Sequence, residues 1–447
     1  MEQWELRAAF ARSLSQMYGR EVPAYTTLLR VSGEVNADVV ARRGAEAERL
    51  GSIGRVTAER HGAIRVGTPA ELRQVGQLFA AFGMHPVGFY DLRDASSSSV
   101  PVVSTAFRPL AADELARNPF RVFTSVLVTD DRRFFDADLQ ARLETFLGRR
   151  QLFDPRVLEL AARAEAGGGL DGAEAEEFLA AATACFALSR APIDRAWYDE
   201  LSRVSAVAAD IGGVTSTHIN HLTPRVLDID ELYRRMTGLG IAMIDEIQGP
   251  PAWEGPDVLL RQTSFRALAE PRSFTDGPGE LRVRFGEVEA RGIALTAAGR
   301  ALYDRMLAEV DARRASSGRP RAEVAADVWR EHLPLTEEEL DRRGLGAFTY
   351  RAVPGAARPP GADVHALVAS GALVREPIVY EDFLPRSAAG IFQSNLTDAG
   401  TRDDARTGAA RDAGWLSDAL GRDVVDPLAH NRELTRTSLR ALNLELP

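Results

Sequence analysis

The first fifty residues have apolar side chains at helical spacing. Apolar positions recur every three or four residues in LRAAFARSLSQMYG and again in YTTLLRVSGEVNADVVARR, as on one face of an amphipathic helix. Two later regions, 140–205 and 295–345, show a similar pattern that is rich in Leu, Ala, Arg and Glu. We therefore expect helical additions over about 1–50, 140–205 and 295–345, with a scaffolding role.

A different pattern begins at His61. The run HGAIRV has β character and is followed by GTPAE. In this stretch Thr68 is a good N-cap, Pro69 suits the first helical position, and Glu71 can complete a capping box. The pattern predicts a strand, then a helix that stops at Gly83, and then another strand.

A second segment, which begins at His221, repeats this order. A short extended run comes first, and Asp228 or Asp230 can cap a helix that should stop near Gly238 or Gly240. The strand-like run IAMIDEI comes next. Each segment therefore predicts a strand, a helix, a glycine stop and a strand, with a histidine on the first strand.

This repeated order predicts an α+β protein with two core modules, at about 58–130 and 208–300. Together with the helical additions, we expect the modules to form one catalytic unit over 1–447. The stretch 376–397 is a candidate for a segment that closes the pocket.

The stretch THINHLTPR, residues 217–225, holds two of the chain's seven histidines. Its proline does not fit a regular helix, so we expect an extended segment in which side chains alternate between two faces. His218 would then point away from the face that carries Ile219 and His221. An extended segment thus predicts that only one of the two histidines faces a shared interior, whereas a helix would place both on one face.

His61 is the matching histidine of the first module, and Arg65 lies on the same face of its strand. The strand-like run LRVRFGEVEARGIALT offers two acids on one face, Glu287 and Glu289, beside Gly286. Two imidazoles and one carboxylate are the ligands of non-heme Fe(II) oxygenases. The structural alternative is that the histidines are hydrogen-bonded core residues and that the acids pair with nearby arginines in solvent.

The composition narrows the chemistry. The net charge is −10 and no basic run occurs, so we expect no nucleic-acid partner. The chain contains no lysine, which excludes a lysine Schiff base and a P-loop, and its only cysteine is Cys185. There is no apolar run long enough for a signal peptide or a membrane span, so we expect a cytoplasmic protein with no membrane partner.

Several long motifs, in order, resemble the 2-oxoadipate dioxygenase/decarboxylase family, also called hydroxyglutarate synthase. They are ERHGAIRVGTP, NPFRVFTS, HINHLTPRVLDID, LLRQTSF, FGEVEARGIALT and YEDFLP-SAAGIFQSNL. The resemblance runs from about residue 10 to the C-terminus. It implies a vicinal-oxygen-chelate-like core of paired βαβββ-type modules with added helices, similar in metal site and chemistry to 4-hydroxyphenylpyruvate dioxygenase and hydroxymandelate synthase.

The resemblance also implies roles for individual residues. It assigns the metal ligands as His61, His221 and Glu287, and so favours His221 over His218 and Glu287 over Glu289. It matches Arg65 to the family's substrate-binding arginine. It also implies that Gln262 and Ser387 are pocket residues. With Arg65, these two are the expected catalytic residues. Asn220 and His218 are expected to orient the ligands from behind.

The function implied is an Fe(II)-dependent reaction. The enzyme converts a 2-oxo dicarboxylic acid, 2-oxoadipate, with O2 into 2-hydroxyglutarate and CO2, as in lysine degradation. Both oxygen atoms end in the products, so no 2-oxoglutarate co-substrate is needed. The oligomeric state is not predicted.

Two positions depart from the family's pattern. Arg386 replaces a small aliphatic residue before Ser387, and Val103 replaces a histidine before Ser104. We expect Arg386 to bind substrate as an additional cation, or else to point to solvent, so the substrate's identity is open. Two other functions are compatible with the fold: a metal-dependent lyase, isomerase or hydrolase that acts on another oxo acid without O2, and a non-catalytic dicarboxylate binder.

Overall fold

A computed structural model describes residues 1–95, 100–359, 361–395 and 400–444. The strands are β1 (Arg60–Val66), β2 (His85–Asp91), β3 (Val102–Arg108), β4 (Arg121–Leu127), β5 (His221–Pro224), β6 (Leu260–Phe265), β7 (Glu270–Phe274), β8 (Gly277–Leu281), β9 (Gly286–Arg291), β10 (Phe348–Ala352) and β11 (Leu373–Pro377). A 3-10 helix spans Gly44–Glu48.

The helices surround these strands. They are α1 (Gln3–Glu21), α2 (Pro23–Arg43), α3 (Ile53–Ala58), α4 (Pro69–Ala80), α5 (Ala112–Arg117), α6 (Ala137–Leu147), α7 (Pro155–Gly167), α8 (Gly172–Ala184), α9 (Arg195–Val204), α10 (Ala206–Gly212), α11 (Ile229–Gly238), α12 (Ala297–Ser317), α13 (Arg321–His332), α14 (Glu337–Arg342), α15 (Val364–Ala369), α16 (Pro385–Asn395), α17 (Ala413–Leu420) and α18 (Pro427–Arg440). Among the described residues, no helix is both long and apolar enough to cross a membrane.

The first module follows the order β1–α4–β2–β3–α5–β4. Its strands belong to a five-stranded sheet with the order β2-β3-β4-β1-β5, in which β1 and β4 are parallel and the other pairs are antiparallel. The parallel pair requires a crossover, and α4 with the hairpin that follows supplies it. The strand of the first histidine, β1, lies between β4 and β5 in this sheet.

The second module repeats this arrangement around β5. A parallel bridge between Arg225 and Glu289 joins the end of β5 to β9, and β9 pairs with β6 in antiparallel fashion. The hairpin β7–β8 lies between β6 and β9 in the chain. Because β1 and β5 are hydrogen-bonded neighbours, the two modules meet at the strands that carry the two histidines. The expected α+β fold is confirmed.

The two faces of the central sheet have different surroundings. Ile64 and Val66 of β1 pack in the core that α1, α2 and α4 cover, and we call this side the helix-backed face. Ala63 belongs to the core that includes residues of α6, α9 and α10, and we call this side the site face. Strand alternation places His61 and Arg65 on the site face with Ala63.

Short-range contacts determine where α4, the helix expected after the first strand, begins. Thr68 accepts a hydrogen bond from the Glu71 amide, the Glu71 side chain reciprocates, and Pro69 is the first helical residue. The helix ends at Ala80, and Gly83 takes a positive φ of 64° in the turn that follows. Each such cap contributes about 1 kcal/mol of helix stability.

The second module was predicted less accurately. Asp228 caps α11 through the Glu231 amide, which confirms one of the two proposed caps. The run IAMIDEI was expected to be a regular strand, but only isolated bridges form there, at Met243 and just beyond at Gln248. An edge segment with neighbours on one side has fewer ladder bonds to keep it regular.

The two large helical regions expected from the sequence contain α6 to α9 and α12 to α14. That the whole chain acts as one catalytic unit stays a prediction. In the proposed closing segment, residues 396 and 397 lie outside the described residues.

Candidate metal centre

Three side chains from three strands converge in the interior. His61 of β1, His221 of β5 and Glu287 of β9 each offer a ligand atom, and these atoms lie within 4.8 Å of one another. Glu287 reaches both histidines, with Oε1 3.3 Å from His61 Nε2 and Oε2 3.3 Å from His221 Nδ1. All three residues are at least 95% buried. Such a group can hold one metal ion.

Strand pairing explains this convergence. In the β1–β5 register, His221 lies opposite Ala63 and His61 lies opposite Thr223, so the two histidines are diagonal neighbours. Glu287 projects from β9, which lies beside β5 in space. Gly286 is needed beside it, because a Cβ there would overlap the ring of Phe265.

Aromatic rings enclose the two histidines. The ring centroid of Phe383 lies 5.0 Å from that of His61, and that of Phe285 lies 5.1 Å from that of His221. Arg291 fixes the segment that carries Phe383, because its Nη1 donates to the carbonyls of Tyr380 and Asp382. These rings keep bulk water away from the three ligands, and the segment lies within the predicted closing region.

Burial and neighbouring charges act differently on the three groups. Burial lowers the pKa of His221 well below its usual value, and the positive charges of His61 and Arg65 lower it further. Burial would also lower the pKa of His61, but the carboxylates of Glu289 and Glu287 outweigh it and raise this pKa. Burial raises the pKa of Glu287. His221 is therefore a neutral imidazole, the form that binds metals.

A second carboxylate supports His61 from behind. Glu289 Oε2 lies 2.8 Å from His61 Nδ1, in a contact that is short but bent. Glu289 Oε1 lies 2.8 Å from Arg291 Nε and 3.2 Å from Arg121 Nη1. These charges hold the pKa of Glu289 well below its ordinary value even though burial raises it. The two acids that strand alternation placed on one face therefore have different positions, one between the histidines and one behind His61.

Arg65 lies four residues along β1 from His61, buried on the same face. Its Nη1 donates to Asp210 of α10, and Asn220 Nδ2 donates to the same carboxylate oxygen at 3.0 Å. Burial would raise the pKa of Asp210, but His218 and Arg65 outweigh it and lower this pKa. Sequence reasoning missed Asp210. A lone acid among the apolar residues of SAVAADIGG was the signal that could have revealed it.

The expected alternation over 217–225 is wrong at its start. Regular pairing begins only at His221, and Ile219 packs on the helix-backed face against Gly62 instead of sharing the face of His221. Both histidines of this stretch are consequently buried on the side of the site. His218 Nε2 lies 3.5 Å from Asp210 and 3.1 Å from Asn220 Nδ2, so these residues support the arginine rather than the metal ligands.

The remaining expected site residues are distributed as follows. Gln262 Nε2 donates to Glu287 Oε1, so it contacts a candidate ligand directly. Ser387 is buried near the start of α16. Arg386 does not enter the site: its side chain is 54% exposed and its Nη2 binds Asp311 at 2.8 Å. Helix geometry accounts for this position, because adjacent residues point in different directions and the buried direction belongs to Ser387.

The other departure from the family's pattern also lies away from the site. Val103 of β3 is fully buried and packs in the core of the helix-backed face. Ser104, its neighbour, turns to the other side and contacts Ser125 Oγ at 2.8 Å. Neither Arg386 nor Val103 therefore alters the surroundings of the three candidate ligands.

Comparisons with known proteins agree with this geometry. The family model described as 2-oxoadipate dioxygenase/decarboxylase matches residues 10–395. A protein of that name from Mycobacterium bovis is 58% identical over 430 residues, which is 95% of this chain and 95% of the relative. A protein of the same name from Pseudomonas putida is 42% identical over 455 residues, which is 98% of this chain and 96% of the relative.

Solved structures agree as well. The crystal structure of the hydroxyglutarate synthase in complex with 2-oxoadipate from Pseudomonas putida is 39% identical to this chain, with a TM-score of 0.86, and 99% of each chain is covered. The chain belongs to the 2-oxoadipate dioxygenase/decarboxylase family.

Proposed function

We propose that this chain converts 2-oxoadipate and O2 into 2-hydroxyglutarate and CO2, with Fe(II) as its metal. The observation that supports this most directly is the buried convergence of His61, His221 and Glu287. The structural relative from Pseudomonas putida is described as a complex with 2-oxoadipate, which supports this substrate. The reaction balances without a co-substrate, since six carbons and seven oxygens enter and leave.

The three side chains fit a ferrous ion. Two imidazoles and one carboxylate that leave further positions open are typical of non-heme Fe(II) oxygenases. His221 is fully buried, yet neither of its ring nitrogens has a hydrogen-bond partner among the described residues. A buried nitrogen without a partner costs free energy, and a metal ion would remove that cost. When bound, Fe(II) would supply electrons to O2 and hold it close to the 2-oxo acid.

Other residues of the chain bind and orient the substrate. Arg65 is four residues from His61 on one strand face, about 13 Å along the backbone. A six-carbon diacid fits this spacing, with its oxo acid end at the metal and its far carboxylate at the guanidinium. Gln262 fixes the orientation of Glu287 through its hydrogen bond, and Ser387 contributes to the pocket wall.

The test is an aerobic assay with Fe(II) against a panel of 2-oxo acids that differ in length and in the far carboxylate. We expect 2-oxoadipate to be the best substrate, with one CO2 released for each O2 consumed. Turnover that continues without O2 would instead indicate a metal-dependent lyase, isomerase or hydrolase. Absence of turnover with every member of the panel would overturn the proposal.

A further inference from the structure

Asp210 is an isolated acid in an apolar helix. Its neighbours in α10 include Val207, Ala209 and Ile211, all buried, and its own side chain is 3% exposed. A buried carboxylate costs several kcal/mol unless charged or polar partners compensate for it. Asp210 therefore needs the partners it has, and the guanidinium of Arg65 is one of them.

The contacts of Asp210 hold Arg65 in one orientation. Oδ2 accepts from Arg65 Nη1 and from Asn220 Nδ2, while His218 Nε2 lies 3.5 Å from Oδ1. The helix that carries Asp210 is itself anchored, because Arg150 donates to the carbonyl of Ile211. The direction of the Arg65 side chain is thus set by α10, and its distance from His61 is set by β1.

The local charge remains suited to an anion. A cavity of about 150 Å³ is lined by residues that include Asp210, His218 and Arg272, whereas Arg65 and the three candidate ligands do not line it. Burial lowers the pKa of Arg272, the nearby carboxylates of Glu270 and Asp210 oppose this, and its Nε is buried. Two guanidiniums thus lie near one carboxylate, and a guanidinium fork has five N–H donors that can serve more than one acceptor.

We propose that Asp210 is a positioning residue that fixes Arg65 to receive the far carboxylate of the substrate, and that it thereby sets the preference for a 2-oxo diacid over a 2-oxo monoacid. This inference rests on the proposed function. Asp210 acts through Arg65, so its effect is confined to substrates that have a far carboxylate. Fixing the guanidinium in advance reduces the cost of ordering it on binding.

The experiment compares 2-oxoadipate with 2-oxohexanoate, which has the same length but no far carboxylate. In the Fe(II) enzyme, D210N is expected to raise the KM for 2-oxoadipate about 10-fold, which is the effect of losing about 1.4 kcal/mol of binding. Because 2-oxohexanoate has no far carboxylate, its KM should change less than about 2-fold. The matched control is D131N, since Asp131 is also buried and ion-paired, in its case with two arginines, but lies elsewhere. It should leave the ratio of the two KM values unchanged.

Equal losses for both acids would show a merely structural role and overturn the proposal, as would an unchanged KM for 2-oxoadipate. If D210N does not fold, N220A replaces it, because it removes a second donor to Asp210. It should shift the same ratio in the same direction, and an unshifted ratio would again overturn the proposal. Calorimetry of both acids binding to the metal-loaded protein without O2 separates the positioning role of Asp210 from the proposed reaction. If the protein binds 2-oxoadipate more tightly than 2-oxohexanoate but turns neither over, only the proposed reaction is contradicted.

Discussion

The metal end and the arginine end of the site are supported by different kinds of carboxylate. Behind His61, Glu289 belongs to a buried network that joins distant parts of the chain. The members of this network are Arg55, Glu59, Arg121, Arg225, Glu289, Arg291 and Glu381. Behind Arg65, Asp210 is assisted by just Asn220 and His218 among the contacts described above.

This difference shows how each end is fixed. In the network each carboxylate contacts more than one arginine; Glu59, for example, binds Arg121 at 2.8 Å and Arg225 at 3.0 Å. Such coupled groups over-determine the position of His61, because moving one charge leaves others buried and unpaired. The arginine end depends on one carboxylate, so it should respond to substitution with a change in selectivity rather than in folding.

The largest expected effect is at the metal end. Replacing His61, His221 or Glu287 by alanine removes one of three ligands, and each variant should lose more than about 100-fold in Fe(II) affinity, beyond the range for supporting residues. Activity with 2-oxoadipate should fall with it. Iron content after dialysis and chelator competition measure the affinity.

A second histidine–acid group provides the control. Glu309, Glu331 and His332 also lie close enough to hold a metal, but Arg313 already pairs with both glutamates there. His332→Ala should keep its iron and activity. If it lost iron as His221→Ala does, the buried group would not be the metal site.

Glu289→Gln tests the network behind His61 and should have the next largest effect. The supporting contact is short but bent, so we expect a loss of about 10-fold in Fe(II) affinity, at the low end for such partners. Glu59→Gln is the matched control, since it removes a carboxylate from Arg121 without contacting His61. Equal losses in the two variants would mean that network charge, and not the contact with His61, matters.

His218 should affect stability more than catalysis. Burial lowers its pKa to about 4, and although Asp210 opposes this, nearby arginines add to it. The unfolded chain, with a pKa near 6.5, therefore binds the proton first as the pH falls, and stability is lost between about pH 6.5 and pH 4. His218→Gln removes this group, so its loss of unfolding free energy from pH 7 to pH 5 should be smaller by about 2 kcal/mol.

Urea denaturation of both proteins at the two pH values, with a chelator present throughout, measures this difference. The same acid-induced loss in His218→Gln as in the parent protein would contradict it. At pH 7 the variant should retain its iron, because His218 contacts Asp210 and Asn220 and not the candidate ligands.

The smallest effect is expected at Arg386. Its exposed pair with Asp311 is worth about 0–1 kcal/mol, so Arg386→Ala should change stability little and the KM for 2-oxoadipate less than about 2-fold. Steady-state kinetics check this. A 10-fold rise in KM would mean that Arg386 turns into the pocket when substrate binds.

Much of the local structure followed from short-range rules. The capping box at Thr68 and the cap at Asp228 were readable because their partners lie three residues away. The shared face of His61 and Arg65 followed from strand alternation. The error at Ile219 arose because alternation holds only while a strand is paired, and pairing with β1 starts at His221.

The sequence by itself determined the helix caps, the first strand of each module, the faces of β1 and β9, and, through its motifs, the family. Only the tertiary structure decided that Glu287 lies between two histidines while Glu289 lies behind one, and that Arg65 meets Asp210, 145 positions along the chain. The reason is physical. Alternation and capping depend on neighbours within a few residues, whereas these contacts depend on the register between strands and helices that meet only after folding.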